Sequence, residues 1–341
     1  MENIKVSIYT KSDLPAFQEY IRQIARPKYI MADPAYLDWQ FNQSLFIARS
    51  GDKIVGHFGC LDLPYKIYDK TQPVRLIMNL FVMEEYRGTG VGKALGEKVL
   101  GTDDPAVVSG YSDSGHRLFI RFRKNWKTVG NLDRYLAILN EKHPLFANYK
   151  ISQRAAIKSE LPAGWEVEAV ASFFPELADF WQKVRSQYPV TVERTKEYLL
   201  WRFFNHPFFR YSVLAAKQNG VLKGYLIFRF EEDQNFKIAR IVDWISEPEA
   251  EAPILQKFLE VASAAGANMA DFVFSGNQYR KTLLASGFFQ DAGTDFEKFP
   301  ICFNPISSKK PYVNIGFDLP VDFADCFFTK ADADQDRPNP H

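Results

Sequence analysis

Cysteine is scarce in this chain. There are three in 341 residues, Cys60, Cys302 and Cys326, odd in number and far apart. That excludes a disulfide framework and any familiar cysteine metal spacing, and a reducing compartment is expected. No charge of one sign dominates: Lys and Arg total 42 against 41 Asp and Glu, a formal net charge of +1. A general nucleic-acid binder usually carries a strong basic excess, so nucleic acid is not an expected partner. No apolar run approaches the roughly 18 residues that read as a membrane span; the densest, "LIMNLFVM", is of strand length. The opening "MENIKVSIYT" lacks the apolar region of a secretory leader. The expected location is the cytoplasm, with no membrane partner. What is plentiful is core material: 46% of residues are apolar, with 30 Phe, 16 Tyr and 6 Trp. That is enough for two domains of ordinary size.

The sequence resembles itself. "SDLPAFQEYI" (12–21) matches "SFFPELADFW" (172–181), and "YLDWQF" (36–41) matches "YLLWRF" (198–203). "FIARSGDKIVGHFGC" (46–60) matches "LAAKQNGVLKGYLIF" (214–228), aligning Gly56 with Gly224. The offset grows slowly, from 160 to 168, as small insertions would make it. Each copy reads as a strand, a helix, a Tyr-Leu-x-Trp helix and two strands joined by a Gly-containing turn. This predicts two related domains, 1–140 and 164–330, joined by a linker at 141–163 and followed by a polar tail at 331–341.

The most informative stretch is "EEYRGTGVGKAL" (84–95), with glycine at 88, 90 and 92. A β-rich apolar run, "RLIMNLFV" (75–82), precedes it, and "GKALGEKVLG" (92–101) has helical spacing. Glycine costs order unless the backbone must approach something closely. At the start of a helix the first amides have no carbonyl partner and point outward with the positive end of the dipole. That arrangement binds phosphate. Arg87 and Lys93 add positive charge, and Glu84 and Glu85 read as solvated. The phosphate loop of many ATPases needs Gly at Arg87 and Ser or Thr at Ala94, and the dinucleotide fingerprint needs Gly at Lys93 or Leu95. Neither fits.

Arg87-x-x-Gly90-x-Gly92 matches a third pattern. The phrase "LFVMEEYRGTGVGKAL" resembles the pyrophosphate-binding loop of the GNAT superfamily of N-acetyltransferases. The resemblance implies an α/β (α+β) fold: two tandem GNAT-like domains, each a mixed, mostly antiparallel sheet flanked by helices. It implies acetyl-CoA as co-substrate, with no metal. The expected cofactor-binding residues are Leu80, Phe81 and Val82, whose backbone would pair with the pantetheine arm, and Arg87, Gly88, Thr89, Gly90, Val91, Gly92 and Lys93 of the loop. A backbone amide near Phe81 would hold the thioester oxygen.

This sequence departs from the family after the fifth strand, "AVVSGYS" (106–112). In the helix "SGHRLFIRFRKNW" (114–126), Ser114 stands where members commonly have Asn, Arg121 where they have Tyr, and Asn125-Trp126 where they have Gly-Phe. An Arg cannot take the acid–base role of the Tyr, though Arg121 can stabilise negative charge. The attacking amine must lose a proton. Asp113 and His116 are the first candidates for its acceptor, with His57 and Asp62 on the third strand behind them. Arg117, Arg121 and Lys124 share one helical face, read either as solvated or as an anion site for the coenzyme's 3′-phosphate or an acidic substrate.

The second half lacks the glycine loop. At its place stands "SEPEAEAP" (246–253), with Glu247, Glu249 and Glu251, which would repel a diphosphate. Gly287-Phe288 keeps the family's ending there. The paired "YLxW" blocks and the tail "FFTKADADQDRP" (327–338) also resemble a bacterial tandem group associated with polysaccharide biosynthesis. Asp332, Asp334 and Asp336 alternate but lack the glycine and distal glutamate of a calcium loop; a solvated tail, or one folded over the domain junction, is expected. The leading expectation is an N-acetyltransferase acting on a small-molecule amine such as an amino sugar or nucleotide sugar. A Fem-like aminoacyltransferase and a non-catalytic acyl-CoA-binding protein are the alternatives. The acceptor's identity and the oligomeric state are not legible.

Overall fold

The computed structural model describes residues 4–25, 29–41, 43–157, 160–303, 306–307 and 313–337. It divides into two compact units. The first holds residues 1–131, 313–322 and 333–341, and the second residues 132–312 and 323–332.

The first unit opens with β1 (Ile4–Ile8), α1 (Leu14–Ile24) and α2 (Pro34–Phe41). In α1, Phe17, Tyr20 and Ile21 recur at the spacing that puts them on one buried face. β2 (Leu45–Ser50), β3 (Lys53–Ile67) and β4 (Lys70–Val82) form an antiparallel meander, with β1 along the edge of β2. α3 (Val91–Leu100) then crosses to β5 (Ala106–Ser109), which lies parallel to β4. α4 (Asp113–Phe122) follows. It is capped by Ser112, whose Oγ accepts from the Gly115 amide at 3.3 Å. Gly96 lets α4 approach α3, since a Cβ there would stand 2.5 Å from the Phe122 ring.

β6 (Lys127–Ile138) straddles the division, so the boundary falls inside a strand rather than at residue 140. The first unit is also not contiguous in sequence. Residues Val313–Phe317 form a strand antiparallel to β5. Polar side chains hold this return: Asn314 Oδ1 accepts from the Tyr111 amide at 2.9 Å, and Asp318 Oδ1 from the Ala106 amide at 2.6 Å. Two domains cut at 140 and 164 therefore do not describe the chain, because the edge of β5 is satisfied by residues more than two hundred positions later.

The second unit repeats the element order. β7 (Trp165–Val170), α5 (Glu176–Val184), the short β8 (Val190–Val192) and α6 (Lys196–Leu199) precede β9 (Ser212–Gln218), β10 (Val221–Asp233) and β11 (Phe236–Ser246). Helix α7 (Glu251–Ala264), β12 (Met269–Phe274) and α8 (Arg280–Ala285) complete it. The strand order β7-β9-β10-β11-β12 mirrors β1-β2-β3-β4-β5, and in each case only the last pair is parallel. β6 joins the second sheet beside β12. Both units are thus mixed, mostly antiparallel sheets flanked by helices.

The stretch expected to be a linker is built into the second unit. Phe146, 3% exposed, joins a cluster with Leu136, Phe236, Phe296 and Phe299. Burial of a large aromatic there outweighs the cost of ordering the segment.

Candidate functional site

The site grows from a fault in the pairing of β3 with β4. Gly59 faces Met78, but the next pair is His57 with Phe81, so Asn79 and Leu80 oppose the single residue Phe58. Asn79 takes φ +53, the left-handed region that Asn tolerates better than most residues. Such a bulge bends the strand. The pairing of β4 with β5 covers Arg75–Ala106, Leu76–Val107 and Ile77–Val108 and does not extend to the bulge. The edge of Leu80–Val82 that would face β5 is thereby left open.

Alternation decides which backbone groups line that edge. The Met83 amide donates to the Val55 carbonyl at 2.9 Å, so Met83 and Phe81 turn their polar groups toward β3. Val82 turns the other way, and its carbonyl is the one that Arg87 Nε approaches at 3.4 Å. The backbone amide that faces the open edge is therefore that of Val82, not of Phe81. Phe81 itself contributes its ring.

After Glu84–Tyr86, a single 3-10 turn, comes the glycine loop. Gly88 and Gly90 have φ of +81 and +101, and Gly90 is the N-cap of α3. The first bond of the helix runs from the Ala94 amide to the Gly90 carbonyl at 2.9 Å. The amides of Val91, Gly92 and Lys93 precede it and have no partner within the helix. A Cβ on Gly88 or Gly90 would meet nothing within 4 Å, and one on Gly92 only a Val82 methyl at 4.0 Å. The protein itself does not crowd this turn.

A cleft of about 610 Å³ lies against these residues. Leu80, Phe81, Val82, Tyr86, Arg87, Gly88 and Gly92 line it on one side, and Ser112, Ser114, Gly115, Arg117 and Leu118 of the α4 end on the other. Of the other residues expected to hold the cofactor, Thr89 donates its hydroxyl to the Tyr86 carbonyl at 2.7 Å, Val91 is the buried first residue of α3, and Lys93 lies 3.6 Å from Glu97.

The residues expected to carry catalysis lie beside this cleft rather than in its lining. Asp113 is exposed in the first turn of α4; the cap is Ser112. The His116 ring stacks on Tyr111 at 6.0 Å, and its Nδ1 is buried with no partner among the described residues. Arg121 is exposed in the last turn of α4. Of its helical face, Arg117 is the member that reaches the cleft, with Nη2 3.1 Å from Ser114 Oγ. Asp62 is occupied by a two-pronged contact with Arg75 at 2.8 Å on each oxygen. His57 is buried against Tyr20, and burial, with the Arg337 charge behind it, pushes its pKa down to about 3. It is neutral at pH 7 but too weak a base to be tuned for proton abstraction there.

Asn79 was not singled out from sequence. Its signal was there: one amide side chain inside the apolar run "LIMNLFV". At the corresponding position of the second unit, the glutamates make polar contacts of their own. Glu247 binds Lys183 and Lys223 at 2.6 Å each; burial opposes its charge, but these bonds hold its carboxyl down to about 2. Glu249 also reaches Lys223, and Glu251 accepts from Thr282.

The family model described as "Acetyltransferase (GNAT) family" matches residues 14–102. No curated protein matches the chain. Among solved structures, a GCN5-related N-acetyltransferase from Anabaena variabilis superposes with a TM-score of 0.60 at 13% identity, covering 92% of this chain and 72% of that one. A conserved protein of Enterococcus faecalis, described as a probable N-acyltransferase, gives 0.58 at 12% identity, with coverage of 92% and 72%. N-myristoyltransferase of Saccharomyces cerevisiae with bound myristoyl-CoA gives 0.55 at 11% identity, covering 94% of this chain and 84% of that one. The fold is GNAT-like, and residues 14–102 are similar to the acetyltransferase (GNAT) family.

Proposed function

We infer that this protein is an acyl-CoA-dependent N-acyltransferase, with acetyl-CoA as its donor and a small-molecule amine as its acceptor. One observation carries the reading. Gly92 sits in the first turn of α3, where the fold leaves room for a Cβ and where glycine costs about 1 kcal/mol relative to alanine. Its reason lies outside the protein's own packing, on the side of the cleft. A diphosphate laid against the free amides of the α3 start would need that space.

The chemistry required of this chain is modest. The open edge of Val82 offers an amide and a carbonyl to an extended ligand, in the manner of an added strand. That amide would face the thioester oxygen as negative charge grows on it. Arg87 and Arg117 supply fixed positive charge for phosphates. Ser112 and Ser114 are hydroxyls within the lining that can pass a proton through water to Asp113. The duplicated element order supports descent of both units from one GNAT-like ancestor, with the second having lost the anion site. An amino sugar or nucleotide sugar is the acceptor we would try first.

The test is release of free thiol from acetyl-CoA in the presence of amine panels, with calorimetry of acetyl-CoA alone. One binding site per chain with amine-dependent thiol release is expected. Binding without release for any amine would favour a non-catalytic acyl-CoA-binding protein. Two equivalent sites would overturn the assignment to the first unit.

A further inference from the structure

We propose that residues Asp334–Arg337 form a strap that fixes the gap between β4 and β5, making Arg337 and Gln335 positioning residues for acyl transfer. The inference rests on the acyl-CoA reading above. The sequence leaves the polar tail either solvated or folded over the domain junction; residues 334–337 are built into the first unit, with Asp334 and Asp336 9% and 2% exposed.

Its contacts fall on the two lips of the gap. On the β4 side, Arg337 Nη1 donates to Asn79 Oδ1 at 2.6 Å. Asn79 is the left-handed residue of the bulge, so this bond holds the backbone at the point where β4 turns away. The same guanidinium donates to Asp334 Oδ2 at 3.1 Å and lies 5.7 Å from the Tyr29 ring. On the β5 side, Gln335 Nε2 donates to the Ser109 carbonyl at 3.1 Å and to Asp334 Oδ1 at 3.3 Å. Gly110, at φ +71, makes room for it, since a Cβ there would stand 2.4 Å from Gln335 Nε2. Asp334 thus ties together the two side chains that reach the two strands.

Two polar groups at these lips are left unsatisfied: Asn79 Nδ2 and Ser109 Oγ are buried with no partner among the described residues. They stand just past the last β4–β5 pair, Ile77 with Val108. Buried polar groups seek partners, and an acceptor nitrogen or a water entering the gap would supply one. Val82, whose amide faces the proposed thioester, is three positions along the strand from Asn79. A bulge free to relax would move that amide, and a shift of about 1 Å at a reacting centre costs up to about 100-fold in rate.

The experiment pairs hydrogen exchange with kinetics on the full chain. Arg337→Met keeps length and bulk but loses the donor. It should speed exchange of a peptide covering residues 78–84 about tenfold or more while leaving β2 unchanged. Turnover of acetyl-CoA should fall at least tenfold with the KM for acetyl-CoA within about twofold, because the glycine loop is untouched. Arg337→Lys should recover much of both effects. Asn79→Gly combined with Arg337→Met should be no worse than the worse single variant, since both break one contact. Should Arg337→Met fail to fold, Gln335→Ala tests the β5 lip by the same two readings. Unchanged exchange overturns the strap. Faster exchange with unchanged turnover overturns its role in transfer. A wild-type chain that binds no acyl-CoA overturns the functional reading, and the exchange arm, which needs no ligand, still decides whether the strap holds β4.

Discussion

The Tyr20 hydroxyl lies 2.9 Å from Nδ1 of His57, and both side chains are buried. Across the sheet His57 faces Phe81, ring against ring at 6.3 Å. The pair therefore backs the strand segment that borders the cleft. Burial and the Arg337 charge hold His57 near 3, whereas an unfolded histidine titrates near its ordinary 6.5. Between those values the unfolded chain takes up a proton that the folded chain refuses. Stability from this group is fully present above about 6.5 and is lost as pH falls toward 3.

At about 1.4 kcal/mol per pKa unit, the loss by pH 4 is on the order of 3 kcal/mol. His57→Gln keeps an oxygen for Tyr20 and removes the titration. The difference in urea midpoint between wild type and His57→Gln should shrink or reverse between pH 7 and pH 4. Asp291, raised to about 6 mainly by burial, tilts stability the opposite way as pH rises through that value. It is common to both proteins and cancels in the comparison. A pH-independent difference would mean that His57 titrates in the fold as it does in the unfolded chain.

Asp332 shows that the tail is not solvated throughout. It is 4% exposed and accepts from Arg194 Nη2 at 2.8 Å, from the Tyr198 hydroxyl at 3.2 Å and from the Thr329 amide at 2.9 Å. Arg194, itself fully buried, also takes Asp243 at 2.9 Å. Removing one member of such a group leaves buried charge uncompensated. Asp332→Ala should destabilise the second unit by about 3–5 kcal/mol, read as a lower urea midpoint with acetyl-CoA binding retained if the chain stays folded. A change below 1 kcal/mol would show that Arg194 is satisfied by Asp243 alone.

The parts of this molecule that sequence disclosed are those governed by local rules. The glycine turn, the strand before it and the helix after it were readable because period and composition change within a dozen residues. The repeated blocks at 36–41 and 198–203 were readable for the same reason, and the two units do share one element order. What depended on distant partners was not readable. Nothing near β5 announces that Val313–Phe317 will pair with it. Alternating aspartates at the C-terminal end left a solvated tail and a folded-over one equally open, because burial of Asp334 and Asp336 depends on the tail folding against the first unit. The face containing Arg117 and Arg121 was visible, but only the position of the cleft separates the two.

That separation gives a direct test. Arg117 lines the cleft beside Ser114, and Arg121 is exposed one turn further on, outside the lining. A guanidinium bound to phosphate is a charge-assisted donor. Arg117→Ala should weaken acetyl-CoA about tenfold, equivalent to roughly 1.4 kcal/mol. Arg121→Ala should stay within about twofold. Calorimetry at fixed ionic strength makes the comparison. The reverse order of effects would move the anion site along α4 and return Arg121 to the role expected for it from sequence.

The sharpest test lies at Gly92, where folding and binding should respond in opposite directions. The residue is helical, and a Cβ there would touch nothing closer than the Val82 methyl at 4.0 Å. Gly92→Ala should therefore stabilise the unliganded chain by about 0.4–1 kcal/mol, through a less flexible unfolded state and a better helix former. The same methyl would stand where a diphosphate must approach the α3 amides. Wild type saturated with acetyl-CoA at about 100 times its dissociation constant gains roughly 2.7 kcal/mol, a rise of a few degrees in Tm for a chain of this size. Gly92→Ala should lose most of that rise while starting from an equal or higher Tm. Gly90→Asp supplies the contrasting case. Its φ of +101 strains any side chain, so its unliganded Tm should fall, and its carboxylate should abolish the ligand-induced rise. A Gly92→Ala protein that is destabilised without ligand would mean that the turn serves the fold. One that keeps the full rise would remove the diphosphate from the α3 start.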